Sequence, residues 1–445
     1  MLERKAMKNL EEWKAKVSNK CLIVEGARQI GKTYIIEKFG RNNYESFIEI
    51  NFIENPSLKV IFSGDLDADS ILMAVKLNIP GIKIIPGSTL LFLDEIQECE
   101  EAISALKFLA ADDRISVICS GSALGMDYKP KRSYPVGSVE HLDMYSLDFE
   151  EFLWAMGIER DMVSDLRSYF DNKNFDKKVP LPVHRKFEEL IRQYMVIGGM
   201  PEVVQTFVDT GDYYEADRIQ RRLYRDYLND IARYANAEDK IRAEKCYKMI
   251  PLQLSKENHK YQYSLVEKKG TSKKYESSID WLGNAHIAIP VTNVKAIQYP
   301  LKSFAIENNF RLYPNDIGLL MCTYGYELKA AILADSDFEK RPENVVLGTA
   351  KGGMYEALAC EMLCKNGHDE LFFYRNETGT VEMEFVIEKP DGILPIEIKA
   401  GRSRTRSLNA ILEDENIKCG YKFSFQNIGK SGKKVTLPFY MLMFV

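Results

Sequence analysis

The sequence predicts an α/β protein in which a parallel sheet covered by helices is followed by helical segments and a second strand-containing region. Strand-like apolar runs alternate with helix-like runs over residues 1–150, an order typical of a helix-wrapped parallel sheet. A glycine-rich loop follows the first strand-like run, at the edge where such sheets bind ligands. Strand-like runs return near the carboxyl end, and 445 residues suffice for about two to four domains.

The alternation over residues 1–150 resolves into individual elements. The first 16 residues read as an amphipathic helix without the apolar centre of a signal peptide. The predicted strands are Cys21–Glu25, Ser46–Asn51, Thr89–Leu93 and Ile115–Ser120. The predicted helices are Thr33–Phe39, Asp69–Leu77 and Glu100–Ala111. Downstream, we predict a helical lid region at 151–238, a third region at 239–325 and a fourth at 326–445.

The glycine-rich loop joins the first predicted strand to the first predicted helix. The residues predicted to contact a nucleotide are Gly26, Ala27, Arg28, Gln29, Ile30, Gly31, Lys32, Thr33 and Tyr34. Gly26 and Gly31 let backbone N–H groups turn toward phosphate oxygens, and the following helix adds the positive end of its dipole. In this spacing Lys32 reaches the β- and γ-phosphates and the Thr33 hydroxyl ligates Mg²⁺. The loop therefore predicts binding of ATP with Mg²⁺.

Two further strand ends carry polar residues suited to the same site. Asp94 and Glu95 follow a buried-strand run, where we assign Asp94 to the metal and Glu95 to the attacking water. Ser120 and Ser122 end the next predicted strand, and either could lie between Glu95 and the γ-phosphate. The sequence does not choose between the two serines, and a plain strand-end turn stays open as the alternative.

Composition narrows the class of protein. The net charge of −5 argues against a protein that coats nucleic acid over its whole surface, although it leaves room for a local basic face. No apolar stretch reaches membrane-spanning length. The eight cysteines include no CxxC pair, which favours reduced core thiols and a cytoplasmic location.

By these motifs the first 150 residues resemble the AAA-type ATPases, and most closely a large prokaryotic ATP-binding group. The resemblance rests on Asp94-Glu95-Ile96-Gln97, on Asp148 to Leu153, on Gly198 to Glu202 and on Leu312 to Leu320. It implies an AAA ATPase core followed by a carboxyl-terminal domain of unknown function. Relatives often carry Gly-Arg where this chain has Gly137-Ser138. Arg132 lies nearby and is either a candidate substitute for that arginine or a plain loop charge. Without a clear arginine finger, a ring assembly is not assumed.

The region 239–325 resembles a winged-helix unit, with a helix from about Ser272 to Leu282 followed by a strand-like wing. Six lysines and two glutamates lie between Lys256 and Lys274, a local excess of positive charge. Lys268, Lys269, Lys273 and Lys274 cluster at the start of the helix, which suits DNA phosphates. Docking of a protein partner and a solvated lysine face are the alternatives.

The region 326–445 carries acids on a predicted helix, Met354–Asn366, and on predicted strands. Those strands are Leu371–Arg375, Glu382–Glu388, Leu394–Lys399 and Lys418–Phe425. Glu384 and Glu397 would share a Mg²⁺ on one sheet face, with Lys399 beside it and Glu356 as a further ligand.

This arrangement resembles the restriction-endonuclease-type PD-(D/E)XK core. Such nucleases usually have aspartate where this chain has Glu384, so a degenerate site with structural carboxylate–lysine pairs stays open. Arg402, Arg404 and Arg406 follow Lys399 as candidate phosphate contacts or as a solvated loop.

Three functions follow from these observations. The leading one is an ATP-binding protein and AAA-type ATPase whose nucleotide state controls the winged-helix-like and nuclease-like regions, with DNA as a candidate partner. The second is an ATP-regulated DNA nuclease. The third is an ATP-gated binding switch that does not hydrolyse ATP. Oligomeric state and protein partners stay open.

Overall fold

The computed structural model describes residues 2–16, 20–122, 135–172, 175–234, 237–334, 348–400 and 406–445. Contacts divide the chain into two compact units. The amino-terminal unit comprises Glu3–Ser146 with the short segment Asn284–His286. The carboxyl-terminal unit is formed mainly by Leu147–Gly283 and Ile287–Val445. Each unit has its own sheet.

The sheet of the amino-terminal unit confirms the predicted parallel α/β fold. Its strands are β1 (Cys21–Gly26), β2 (Ser46–Asn51), β3 (Thr89–Asp94), β4 (Ser116–Ser122) and β5 (Val139–Asp143). Their order is β2-β3-β4-β1-β5, and each neighbouring pair is parallel. Every residue of β3 is buried, as expected of a central strand covered on both faces. Strand β5 is partly exposed and rich in charged residues because it lies at the edge, so apolar patterning does not reveal it.

Helices cover this sheet at the places that the sequence predicts. They are α1 (Ala6–Ala15), α2 (Lys32–Asn43), α3 (Ala68–Asn78) and α4 (Glu100–Leu109), with 3₁₀ turns at Pro56–Phe62 and Ile96–Glu98. Leu106 of α4 and Val75 of α3 pack with Leu91 of β3 in one buried cluster. Such burial of aliphatic side chains is the main stabilising contribution to the sheet–helix layers.

The carboxyl-terminal unit contains the remaining helices of the described residues, eight of which precede its first strand. They are α5 (Phe149–Ala155), α6 (Arg160–Asp171), α7 (Leu181–Ile197), α8 (Pro201–Thr210), α9 (Tyr213–Tyr234), α10 (Ala237–Leu254), α11 (Tyr263–Val266), α12 (Ser272–Asn284), α13 (Ile317–Met321), α14 (Tyr326–Leu333), α15 (Gly348–Lys365) and α16 (Arg406–Ile411). Helix α15 starts before the predicted Met354. A Cβ on Gly353 would lie 2.1 Å from the Leu254 carbonyl oxygen, so a glycine at that point allows the close approach to α10.

One sheet joins strands from both of the last two predicted regions. The strands are β6 (Ala288–Val294), β7 (Ala305–Pro314), β8 (Phe372–Arg375), β9 (Glu382–Lys389), β10 (Gly392–Ile398), β11 (Gly420–Ser424), β12 (Gly429–Ser431) and β13 (Lys434–Pro438). They are ordered β12-β13-β11-β10-β9-β8-β6-β7. Strand β6, expected as a wing, pairs with β7 and β8 and therefore extends the sheet of residues 326–445. The winged-helix and nuclease-like assignments stay predictions.

Within the described residues, no helix combines the length and the apolar character needed to cross a bilayer.

Candidate nucleotide-binding site

The glycine-rich loop turns tightly at positions that favour glycine. Gly26 has φ of 147° and Gly31 has φ of 91°, both outside the range that most side chains adopt. A Cβ at Gly26 would lie 2.1 Å from the Met144 carbonyl oxygen, inside van der Waals contact. Gln29 also has a positive φ, of 61°. The loop backbone is therefore held in a compact turn at the start of α2.

Arg4 holds this loop from outside, a role that the sequence does not predict. Its Nη1 donates to the Ile30 carbonyl at 2.8 Å, and its Nη2 donates to the Tyr145 carbonyl at 2.6 Å. Ile30 itself is fully buried. Arg4 thus fixes the loop against the chain that follows β5.

Lys32 lies inside the loop rather than in solvent. Its ammonium donates to the carbonyls of Gly26 and Ala27 at 2.9 and 2.7 Å, and the residue is only 9% exposed. Burial lowers the pKa of Lys32 to about 8, although the charges of Glu95 and Asp94 oppose that shift. A buried ammonium ringed by backbone carbonyls and facing carboxylates is suited to an anionic ligand.

The loop meets the end of β3 through one carboxylate. Asp94 Oδ2 accepts hydrogen bonds from the Thr33 hydroxyl and from Asn51 Nδ2, both at 3.0 Å. Asp94 Oδ1 accepts from the Ser120 hydroxyl. Asp94 is 3% exposed, and the structure brings it to Thr33 across 61 residues of sequence. This hydroxyl–carboxylate pair is the donor set that a Mg²⁺ ion would require.

Asn51 was missed by sequence reasoning. It ends β2, and the parallel register puts it directly opposite Asp94. The available signal was a polar residue at the carboxyl end of the neighbouring parallel strand, which is where such sheets gather ligand contacts.

Glu95 is held in position by its neighbours. Its backbone is left-handed, with φ of 53°, and its N–H donates to Asp94 Oδ1 at 3.1 Å. Gln97 Nε2 donates to the Glu95 carboxylate, whereas Gln97 Oε1 is buried without a hydrogen-bond partner in the described part of the chain. The Asp-Glu-Ile-Gln motif thus orients the Glu95 carboxylate beside that of Asp94.

The two serines differ in what the structure describes. Ser120 is buried beside Asp94, so its hydroxyl orients that carboxylate. Ser122 pairs with Gly26 in the sheet register, but its side chain lies outside the described residues. Arg132, the candidate substitute for the missing arginine, also lies outside them.

Among the carboxyl-terminal acids, Glu356 is already paired with neighbouring donors. Glu356 is buried, and its Oε2 lies 2.8 Å from His259 Nδ1, 3.0 Å from Arg311 Nη1 and 2.9 Å from the Tyr313 hydroxyl. Burial raises the pKa of Glu356, but His259 and Arg311 outweigh it and lower the pKa to about 2. This carboxylate is therefore a fully paired structural anion in the present arrangement.

Lys399 sits between the two remaining acids of that region. Its ammonium lies 3.1 Å from Glu384 Oε1 and 3.5 Å from Glu397 Oε1. The Ile398 N–H also donates to Glu384, at 3.2 Å. No group of three His, Cys, Asp or Glu side chains in the described residues is arranged to hold a metal ion. Arg402 and Arg404 lie outside the described residues, and Arg406 begins α16.

The predicted lysine cluster is only partly neutralised. Lys268, Lys269 and Lys273 are exposed, whereas Lys274 pairs with both carboxylate oxygens of Glu267 at 2.8 Å. The Lys274 contact comes first among the causes that lower the pKa of Glu267 to about 2. Three cationic side chains thus face solvent near the start of α12.

Three family models match separate parts of the chain. Residues 18–153 match the model described as AAA domain. Residues 188–329 match a domain of unknown function (DUF8612), and residues 351–437 match a domain of unknown function (DUF4143). The first match and the loop geometry together define residues 18–153 as an AAA-type P-loop ATPase domain.

Solved structures are similar at low identity. The Walker-type ATPase PABY2304 of Pyrococcus abyssi is 11% identical over 72% of this chain and 95% of that chain, with a TM-score of 0.42. PCH-2 of C. elegans is 12% identical over 47% of this chain and 61% of that chain, with a TM-score of 0.26. No curated protein matches the chain. The domain assignment therefore depends on the family model and on the site itself.

Proposed function

We propose that this chain binds ATP with Mg²⁺ and hydrolyses it at the loop of the amino-terminal unit. The observation that supports the proposal most is the contact between Thr33 and Asp94. It links the loop that would hold the phosphates to the strand end that would hold the metal, within reach of the buried Lys32. A bound Mg²⁺ would neutralise phosphate charge during transfer.

Each side chain of the site has a proposed role. The Lys32 ammonium would exchange its carbonyl partners for phosphate oxygens. Thr33 and Asp94 would hold the metal, and Ser120 would keep the Asp94 carboxylate oriented. Glu95 would accept a proton from the attacking water, with Gln97 fixing its direction. In this proposal the nucleotide state controls the carboxyl-terminal regions.

Phosphate release tests the hydrolytic role of Glu95. Glu95→Gln keeps the side-chain size but removes the proton acceptor, so we expect turnover to fall by about 10² to 10⁴ while ATP binding persists. Glu100→Gln, an exposed acid at the start of α4, is the matched control and should match the wild type. No phosphate release from the wild type above the Glu95→Gln level would instead support the non-hydrolysing ATP-gated switch.

The ATP-regulated nuclease is a second candidate because Glu384, Lys399 and Glu397 are close together on adjacent strands. The pairing of Glu356 with three donors counts against it. Mg²⁺-dependent DNA cleavage by the wild type, lost in Lys399→Ala, would support this candidate. Equal cleavage by both proteins, or none by the wild type, would exclude it for the DNA used.

We propose DNA as a partner of the exposed lysines near α12. Lys274 and, less strongly, Lys245 lower the pKa of Glu267, so α10 adds a cation to the same surface. Exposed clustered lysines favour contact with phosphate backbones.

The salt dependence of DNA affinity tests this surface. Replacing Lys268, Lys269 and Lys273 by alanine should weaken binding to duplex DNA at low salt. It should also reduce the slope of log affinity against log salt by about 3, one unit for each lost phosphate contact. A triple alanine variant at Lys186, Lys302 and Lys430 is the control. An unchanged slope in the variant that lacks Lys268, Lys269 and Lys273 would show that DNA does not bind at this surface.

A further inference from the structure

A cavity of about 740 Å³ lies within the carboxyl-terminal unit, apart from the site described above. Helices α9 and α10 and the chain after α13 form its walls. The side chains that matter are Arg221, Tyr224, Arg225, Lys248, Leu252 and Tyr324. The volume falls within the range of small-molecule sites, about 300 to 1,000 Å³.

One wall of the cavity carries excess positive charge. Arg221 Nε contacts Asp217 Oδ2 at 2.7 Å, and the buried Lys329 contacts Asp217 Oδ1 at 2.5 Å. Two cations therefore share one carboxylate. The Lys329 ammonium is also held by Gln220 Oε1 at 2.7 Å, so it is fixed behind the wall. The guanidinium of Arg221 is left incompletely neutralised at the cavity.

Arg225 adds a second positive charge, one helical turn from Arg221. Its Nε donates to the Arg221 carbonyl at 3.3 Å, and no carboxylate of the described residues pairs with it. Lys248 is paired with Glu244 at 2.5 Å and contributes little net charge. None of the described residues that line the cavity is acidic. The cavity therefore favours an anion.

The lining of the cavity also includes aromatic and apolar side chains. Tyr224 stacks on Tyr247 with ring centroids 5.5 Å apart and 25° between planes, which holds the Tyr224 ring in place. The Tyr324 hydroxyl donates to the Pro251 carbonyl at 3.3 Å. Leu252 is 49% exposed although it is a large aliphatic residue. Flat rings beside an exposed leucine suit a planar apolar group.

We propose that this cavity binds a small organic phosphate that carries an aromatic ring. The phosphate would contact the guanidinium groups of Arg221 and Arg225, because the planar guanidinium presents paired donors to phosphate oxygens. The ring would lie against Tyr224 and Leu252. This site is separate from the loop at Lys32 and does not depend on ATP binding there.

Calorimetric titration with phenyl phosphate tests the proposal on the full-length protein. We expect the wild type to bind it, and to bind it more tightly than inorganic phosphate because the ring adds apolar contact. Arg225→Ala should weaken binding at least about tenfold, the effect of losing one charge-assisted hydrogen bond. Arg225→Lys should restore part of the loss. Arg218→Ala is the control, because Arg218 lies on the same helix, is 71% exposed and pairs with Glu215.

Several results would overturn the proposal. One is no binding of phenyl phosphate by the wild type at millimolar concentrations. Another is binding that Arg225→Ala leaves intact but Lys32→Ala removes, which would put the ligand at the loop. Equal affinity for phenyl phosphate and inorganic phosphate would show that the aromatic and apolar side chains contribute nothing. Thermal unfolding of each variant shows whether it is folded, and Arg225 is exposed, so we expect no loss of fold.

Discussion

The buried carboxylate of Glu397 differs from that of Glu356 in its partners. Glu356 accepts from three donors, whereas Glu397 Oε2 has no hydrogen-bond partner among the described residues. Burial raises the pKa of Glu397 to about 7, although the charge of Lys399 opposes the shift. The same kind of residue is therefore stabilised as an anion at one site and favoured as a neutral acid at the other.

This difference predicts a pH dependence of stability. The folded protein binds the Glu397 proton more tightly than the unfolded chain, whose glutamate has the ordinary pKa of 4.5. The contribution of Glu397 to the free energy of unfolding is therefore full below pH 4.5 and is lost as the pH rises to about 7.

Glu397→Gln should not lose stability in this way as the pH rises, because glutamine stays neutral. Relative to the wild type, we expect its free energy of unfolding to rise by up to about 3 kcal/mol across this pH window. Urea unfolding at several pH values measures the difference, with the exposed Glu415→Gln as control. Parallel curves for wild type and Glu397→Gln would contradict the assignment.

Single residues differ in how far the sequence reveals them. The sequence predicts Lys32 and Thr33 from the spacing of the glycine-rich loop, and Asp94 from its place at the end of a buried strand. The sequence does not predict the role of Arg4, because its contacts lie 26 and 141 residues away along the chain. A charged residue just before an amphipathic helix gives no local sign of such long-range partners.

At the level of elements, the acidic-aromatic motif after the first unit proves to be a helix start. Asp148 Oδ1 accepts from the Glu151 N–H at 2.8 Å, and the Asp148 N–H donates to Glu151 Oε2 at 3.2 Å. This is a capping box at the start of α5. The aromatic residues Phe149 and Phe152 of the same motif are buried. The motif therefore serves to start the helix and to fill the core.

Asp148→Ala should therefore lower stability without changing chemistry. Loss of the cap leaves the N–H of Glu151 without its acceptor and should cost about 1 kcal/mol of unfolding free energy. The KM for ATP should not change, because the substitution touches no residue of the proposed site. Asp67→Ala, which removes the cap of α3 at Ser70 N–H, provides a comparison of similar size. A large rise in KM with unchanged stability would contradict this structural role.

Two other motifs meet inside the carboxyl-terminal unit. The Asp316 side chain accepts from the Gly199 N–H at 2.8 Å, and Glu361 accepts from the Ile317 N–H at 2.5 Å. The Tyr194 hydroxyl also donates to Glu361, at 2.7 Å. These buried contacts join α7, α13 and α15, so the motifs around Gly199 and Asp316 serve packing in the described structure.

Strands with strong apolar patterning could be predicted, and edge strands could not. Strands β1 to β4 follow apolar runs, and their bounds differ from the predicted ones by only one or two residues at some ends. Strand β5 is a charged edge strand, and β12 has only three residues, so neither has a periodic signal. The pairing of β6 with β8 joins residues about 80 positions apart, which patterning cannot predict.

On the scale of the whole molecule, the order β2-β3-β4-β1-β5 explains why the candidate site is compact. Parallel strands end at one edge, so Asn51, Asp94 and Ser120 come together although 69 residues separate the first from the last. The loop after β1 reaches the same edge and adds Thr33. The sequence predicted that Asp94 and Ser120 lie at this edge because the fold class sets strand direction, whereas Asn51 and the strand order came from the structure.

The central claim is that the loop around Lys32 binds ATP with Mg²⁺, and thermal unfolding with and without Mg-ATP tests it most directly. A ligand at about 100 times its Kd should stabilise the wild type by about 2.7 kcal/mol, seen as a higher Tm. Lys32→Ala should lose this stabilisation, whereas Lys76→Ala on the exposed face of α3 should keep it. Equal stabilisation of Lys32→Ala and the wild type by Mg-ATP would contradict the assigned site.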